Sequence, residues 1–262
     1  MSSIRRSVQV MELLAKKGAL GVRPVAQQLD LPLGSVHRLL LDLEAEGVVE
    51  RTLEGEWALS FRLLEITGMQ LERIELPRLA RPFADRIAEE TRETVNLNAL
   101  HNMNGVTIDK VRGNEGMQLD MRIGARGQLH CGGSGKAMLA FMTPEEQATV
   151  YAQPLPQLTP FTMTDPAQLK LEIARIRVRG YSLDYDEVVE GVRCVAMPIL
   201  DRSGRPVGAM SISGTSPKQP GPELDRMVEL LTEACGSVSR RLGYAGVYPP
   251  PALAEMREAA TA

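Results

Sequence analysis

Residues 22–47, VRPVAQQLDLPLGSVHRLLLDLEAEG, decide how the chain is read, because two short apolar periodicities meet there at a tight turn. Val22, Val25, Ala26 and Leu29 fall at i, i+3, i+4 and i+7, and Val36, Leu39, Leu40 and Leu43 repeat that spacing, so each segment buries one helical stripe. Asp30-Leu31-Pro32 breaks the first helix, since proline lacks an amide hydrogen and restricts the residue before it. Ser35 offers a capping oxygen near the start of the second. The pattern is that of a helix-turn-helix. Its second helix presents Leu33, Gly34, Ser35, His37 and Arg38 at or near its exposed N-terminal end, where a recognition helix meets base edges and phosphates. The same periodicity also suits an ordinary helical hairpin inside a core.

The residues after Gly47 favour the first reading. Val48-Val49-Glu50-Arg51-Thr52, a turn at Gly55, and Trp57-Ala58-Leu59 read as a two-stranded hairpin, which turns a helix-turn-helix into a winged helix. Upstream, Ile4, Val8, Met11 and Ala15 predict a helix over about 3–17 that closes the small core and ends at Gly18. Charge is divided along this region: residues 1–40 carry six Lys/Arg against two acids, and residues 41–76 carry three against nine. A basic DNA-facing half would rest on Arg5, Arg6, Arg23 and Arg38, with Arg51 on the wing. With so few cations one copy binds weakly, so paired copies are expected.

At 262 residues and 44% hydrophobic content the chain affords two globular cores. A formal net charge of −3 excludes a protein that coats nucleic acid indiscriminately but allows a localised footprint. No apolar run is long enough for a membrane span, and MSSIRRSVQV lacks the apolar core of a secretion signal, so no membrane association and a cytoplasmic location are expected. Cys131, Cys194 and Cys235 are odd in number and widely spaced, which fits neither a disulfide framework nor a zinc site. They are expected to be reduced, and with only His37, His101 and His130 available, neither a metal nor a cofactor is expected.

After the wing, Ser60 caps a linker helix through Phe61, Leu64 and Leu71 that Pro77 stops, and Leu79, Phe83 and Ile87 open a second domain. The period then changes to two. Val95, Leu97 and Ala99 alternate with Asn96 and Asn98, Val106 and Ile108 return after Asn104-Gly105, and Met117, Leu119, Met121 and Ile123 form a third strand. Gly132-Gly133-Ser134-Gly135 opens a helix at Lys136. Thr143-Pro144-Glu145-Glu146 and Asp165-Pro166 cap two more, the latter burying Leu169, Ile173 and Ile176. Val195, Met197 and Ile199 pair with a returning strand, 207–213, whose one side carries Val207, Ala209, Ser211 and Ser213, small residues that leave room for a ligand. Leu224, Leu231, Cys235 and Val238 mark a closing helix, and a poorly ordered tail is expected from Tyr244 onward.

The glycine-rich stretch at 132–136 is not a P-loop, because Ala137 replaces the metal-binding hydroxyl and the motif's earlier glycine falls on His130. What remains is either a plain helix cap or an anion site made of free amides. A nucleophile built on His130 and Cys131 is disfavoured, since adjacent residues of an extended segment point apart. Asp186 and Glu187 read as part of a solvated acidic loop, and Cys131 and Cys194 as small buried apolar residues.

Taken in order, LPLGSVHRLLLDLEAEGVVER, ETVNLNAL, LHCGGSGKAMLAF, RIRVRGYSLDYDEVVEGVRCVAMPILD and GAMSISG are similar to the IclR family of bacterial transcriptional regulators. The resemblance spans nearly the whole chain. It implies an α+β fold: a winged helix-turn-helix (1–60), a linker helix (61–77) and a GAF-like α/β effector-binding domain with a central antiparallel sheet (78–243), followed by a flexible tail (244–262). It also implies a homodimer or homotetramer that binds double-stranded operator DNA and represses or activates a catabolic operon in response to a small metabolite. Matching positions place the effector at Gly133, Ser134, Asp184, Cys194, Ser211 and Ser213, with apolar walls from Leu119, Met121 and Val192. Amides, hydroxyls and apolar walls of that kind suit a small organic or aromatic acid. Where the family commonly has a basic or hydroxyl pair this chain has Leu33 and Gly34, which moves weight onto Ser35, His37 and Arg38. The competing reading from another class is a small-molecule enzyme with an N-terminal docking module.

Overall fold

The computed structural model describes residues 2–113, 122–215 and 220–251. The chain divides into two compact units, Met1–Ile74 and Glu75–Ala262.

In the first unit α1 (Ser3–Lys17), α2 (Val22–Leu29) and α3 (Leu33–Ala45) precede a two-stranded antiparallel wing of β1 (Val49–Arg51) and β2 (Trp57–Leu59), and α4 (Arg62–Arg73) follows. One core joins them: Val10 and Leu14 of α1, Val25 and Ala26 of α2, and Val36, Leu39, Leu40 and Leu43 of α3 close over Val49 and Trp57. Trp57 also bridges to Leu20, so the wing is stitched to the turn after α1. Two local expectations are corrected. α1 buries Val10 and Leu14 and not the stripe through Ile4 and Val8, which are 77% and 42% exposed; periodicity gave the helix, and packing chose a face about one residue round. α3 begins on Pro32 with no side-chain cap, so Ser35 does not cap it. The Ser35 backbone N–H bonds to the Pro32 carbonyl at 2.9 Å, placing this serine inside the helix.

The second unit starts at α5 (Glu75–Thr91), one residue after α4 ends at the extended Ile74. Pro77 does not stop the preceding helix, against expectation. It lies in the first turn of α5, where its missing N–H would have had no partner. Among the described residues, six antiparallel strands form one sheet in the order β5-β4-β3-β8-β7-β6. They are β3 (Thr94–His101), β4 (Asn104–Val111), β5 (Arg126–Gly127), β6 (Ser182–Tyr185), β7 (Arg193–Leu200) and β8 (Pro206–Gly214). α5 and α9 (Pro222–Arg241) pack on one face, and α6 (Gly133–Ala140) with α8 (Pro166–Arg179) packs on the other. α7 (Pro144–Tyr151) starts in a complete capping box between Thr143 and Glu146.

Three comparisons with the sequence reading matter for function. The strand expected over Met117–Ile123 lies outside the described residues up to position 121, and Ile123 is in a turn. Ser182–Tyr185, to which the sequence reading assigned no element, is an edge strand with Asp184 buried. Of the tail expected to be flexible, residues 252–262 lie outside the described residues; within 244–251, Tyr244 and Tyr248 lie against the α6–α8 core, and the Tyr248 hydroxyl donates to the Pro198 carbonyl. Two aromatic rings and a satisfied hydroxyl outweigh the entropy of ordering these residues.

Because Trp57 is fully buried in a unit with ten core side chains, Trp57→Ala should cost the first unit about 3–5 kcal/mol. Chemical denaturation followed by circular dichroism should show an early transition in the variant. A denaturation curve superimposable on that of the unmodified chain would contradict this packing.

Candidate functional site

Two surfaces concentrate the residues singled out from the sequence. On the first unit, the start of α3 is exposed. Gly34, Ser35 and Arg38 line one groove with Ser3 and Arg6, and Leu33, Gly34 and His37 line another with Val22 and Arg23. Arg6, Arg23, Ser35, His37 and Arg38 therefore surround one helix end, with Leu33 47% exposed between them. Arg5 is exposed on α1 but lines neither groove. Arg51 sits apart on the wing, its guanidinium 4.2 Å from the Trp57 ring centroid and 3.8 Å from Glu44.

On the second unit, a cavity of about 290 Å³ lies between the sheet and the N-terminus of α6. The strand register explains its floor. Asp184 of β6 is directly opposite Cys194 of β7, which is opposite Ser213 of β8, and one row along Ala196, Ser211 and Asn96 stand side by side. Side chains opposite each other in adjacent strands share a face, so one stripe of small polar groups crosses four strands. The other face carries Val195, Met197, Met210 and Ile212, buried towards α9.

α6 can approach this stripe only because it begins with glycines. A Cβ on Gly133 would lie 2.4 Å from Cys194 Sγ, and one on Gly135 would lie 2.3 Å from the Gln128 carbonyl oxygen. The first backbone amides of α6 lack partners within the helix and carry the positive end of its dipole. They sit at the cavity with the Ser134 side chain.

A buried ion pair fixes the opposite wall. Lys136 Nζ donates to Glu187 Oε1, with both side chains almost completely buried. Glu187 Oε2 accepts the Gly132 N–H at 3.0 Å, and the Glu187 N–H donates to Asp184 Oδ1 at 2.8 Å. Thr162 and Thr159 hydroxyls hold the carbonyls of Glu187 and Asp186 at 2.6 and 2.7 Å, tying the segment that carries Val188, Val189 and Val192 to the neighbouring loop that carries Leu158. Glu187 is thus buried and not solvated as its acidic neighbourhood suggests. The adjacent Lys136, itself buried in a helix, draws it inside.

Electrostatics follow from burial. Desolvation, reinforced by the Glu187 charge, pushes the Asp184 carboxyl up to about 7. Desolvation also raises Glu187, with Lys136 opposing it. Both cavity thiols, Cys131 and Cys194, are pushed up to about 12, mainly by burial, and are therefore protonated at neutral pH. His130 Nε2 lies 3.1 Å from the Pro156 carbonyl, where a protonated nitrogen donates, and desolvation lowers its pKa. A protonated thiol beside an imidazole turned to a backbone carbonyl does not make an activated nucleophile. Among the described residues no group of three or more His, Cys, Asp or Glu side chains could hold a metal.

Of the ligand positions expected from sequence, Gly133, Ser134, Asp184, Val192, Cys194, Ser211 and Ser213 all line this cavity; Leu119 and Met121 lie outside the described residues. Asn96 and Asn98 were missed as cavity residues. Asn98 Nδ2 donates to Ser134 Oγ at 3.0 Å and its Oδ1 accepts from Thr107 at 3.0 Å; Asn96 Nδ2 donates to Ser213 Oγ at 3.3 Å. Alternation in ETVNLNAL located both on one face, and nothing in it distinguished a solvated face from a buried polar one.

Comparison with known proteins covers both units. Residues 3–53 match the family described as IclR helix-turn-helix domain, and residues 68–240 match that described as Bacterial transcriptional regulator IclR C-terminal. The chain is 31% identical to the transcriptional repressor IclR of Escherichia coli over 253 residues, covering 94% of this chain and 91% of that protein. The crystal structure of the Thermotoga maritima IclR is similar at a TM-score of 0.80 and 30% identity, over 92% of this chain and 98% of that one. An IclR homolog of Microbacterium hydrocarbonoxydans, crystallised with 4-hydroxybenzoate, is similar at 0.78 and 27% identity, over 92% and 99% of the two chains.

The Asp184 carboxyl gives the cavity a signature that needs no ligand. A pKa raised on folding means that the folded state holds a proton the unfolded state releases, so stability falls as pH rises from about 4 towards about 7. Asp184→Asn should flatten that fall and be the more stable protein at pH 7.5 by at least about 1 kcal/mol. Urea unfolding of both proteins at pH 5 and 7.5 measures it, and identical pH slopes would overturn the assignment.

Proposed function

The chain belongs to the IclR family of bacterial transcriptional regulators, and from that premise we propose that it controls a catabolic operon by sensing a small organic or aromatic acid. Its family consists of DNA-binding regulators with an effector-binding C-terminal domain, not enzymes, which removes the reading as an enzyme with a docking module. The observation that carries the proposal is the convergence, on one cavity of about 290 Å³, of helix-start amides, the Ser134, Ser211 and Ser213 hydroxyls and a carboxyl titrating near neutrality. Amides at a helix start favour an anion, and apolar walls from Val188, Val189 and Val192 enclose a ligand's body. The 4-hydroxybenzoate bound by the Microbacterium hydrocarbonoxydans homolog is an acid of this kind.

At the other end, Ser35, His37 and Arg38 of α3 contact operator bases and phosphates, Arg6 and Arg23 flank them, and Arg5 and Arg51 add phosphate contacts. The few cations make one copy a weak binder, so the working form is a homodimer, or a homotetramer built from two of them. Exposed Ile4 and Val8 on α1, Phe61 just before α4, and Leu64 and Met69 on α4, a helix with no buried residue, supply apolar surface for pairing. The protein acts in the cytoplasm, where its operator is.

Two variants separate the ends. Arg38→Ala should weaken binding to a promoter fragment selected by the unmodified protein about tenfold at fixed salt, with acid binding unchanged; equal affinity in an anisotropy titration would remove Arg38 from the interface. Ser211→Ala combined with Ser213→Ala should abolish the thermal stabilisation produced by the best acid of a small-carboxylate screen, about 2.7 kcal/mol at a hundredfold excess over Kd, while promoter binding persists. A double variant that is stabilised as the parent is would move the ligand elsewhere.

A further inference from the structure

The start of α3 carries two residues for which the first unit itself has no use. Leu33, the first residue of the helix, is 47% exposed and is not among the side chains that close the core. Gly34 follows it. A Cβ there would meet nothing within 4 Å beyond its own turn of helix, and the backbone is right-handed, so neither packing nor a left-handed conformation calls for glycine. Glycine nevertheless makes a helix less stable than alanine would. The unit thus omits a side chain where one would fit, beside a leucine left exposed.

A single exposed leucine is ordinary on a protein surface. The surroundings of this one are not. Leu33 shares a groove with Val22, Arg23 and His37, and Gly34, which lines that groove, also lines the neighbouring one with Arg6 and Arg38. Cations on either side suit a surface that lies between phosphates, and α3 is the second helix of a helix-turn-helix, the one whose first residues meet base edges. In the major groove those edges present hydrogen-bond donors and acceptors and one apolar group, the C5-methyl of thymine. That methyl is the one match the groove floor offers an aliphatic side chain.

We propose that Leu33 reads sequence: its side chain packs on the C5-methyl group of a thymine in each operator half-site, and Gly34, having no side chain, lets that base edge come up to the start of α3. This rests on the reading of α3 as the operator-facing helix and adds an apolar contact to those of Ser35, His37 and Arg38. The contact involves no charge, so it contributes to the choice of sequence and not to the salt dependence of binding.

The test uses the full chain and a duplex that it selects from a random-sequence pool. Each thymine of that duplex is replaced in turn by deoxyuridine, which removes the methyl group and keeps the pairing and every hydrogen-bonding atom. In anisotropy titrations at fixed salt, one thymine per half-site should lose about fourfold in affinity on replacement, the worth of one buried methyl group. In Leu33→Ala, whose side chain is too short to reach, the ratio at that position should fall below about twofold. Gly34→Ala should bind the thymine duplex more weakly while melting no lower than the unmodified chain. A duplex indifferent to the loss of every methyl, a methyl effect that survives in Leu33→Ala, or unchanged affinity in Gly34→Ala overturns the proposal and leaves α3 as the operator-facing helix. Failure to select any duplex overturns both. If Leu33→Ala fails to fold by circular dichroism, the methyl scan with the unmodified chain decides alone.

Discussion

The second unit depends on one buried ion pair. Taking an ammonium and a carboxylate out of water costs several kcal/mol each, and their mutual attraction rarely returns much more than that. Lys136 and Glu187 are therefore a weak source of stability and a strong source of position. The carboxylate has a second oxygen, which takes the Gly132 amide at the start of α6, and the Glu187 backbone N–H is taken by Asp184. One residue thus ties a helix start, an edge strand and the loop over the cavity. Removing either partner would leave the other buried and unpaired, so the tie is held by the penalty for breaking it.

The cavity is a consequence of side-chain size on one face of one sheet. Ala196, Ala209, Ser211 and Ser213 cannot fill the space between β7, β8 and the helix layer, and glycines at 133 and 135 bring α6 close at its N-terminal end. Further along, Met138, Leu139, Ile173 and Ile176 fill the layer completely. The same sheet–helix sandwich is a packed core at one end and a pocket at the other.

Much of this was legible in the sequence, and the failures have physical causes. The helix-turn-helix, the wing, the capped starts of α7 and α8 and the small-residue side of β8 are written in local spacing, which a single chain displays. Leu119 and Met121 fall outside the described residues. Contacts distant in sequence decide the rest. Glu187 reads as solvated because its lysine partner lies 51 residues away. Asn96 goes unmarked as a cavity residue because an alternating strand does not say which face water reaches. Val10 and Leu14, not Ile4 and Val8, face the core of the first unit because a helix with apolar residues on two sides is oriented by what it meets. Pro77 reads as a stop because proline ends helices as readily as it begins them.

The ion pair also governs how the cavity can treat an anion. Lys136 is fully engaged by Glu187 behind the wall, and among the described lining residues the remaining cation is Arg126 at the exposed rim. An acid inside is then met by helix-start amides and hydroxyls, with Asp184 near enough to neutrality that its charge depends on pH. Neutral donors bind a carboxylate less tightly than a buried guanidinium fork does. Under the sensing role proposed above, a ligand held by dipoles alone would leave when its concentration falls, so occupancy would follow the metabolite.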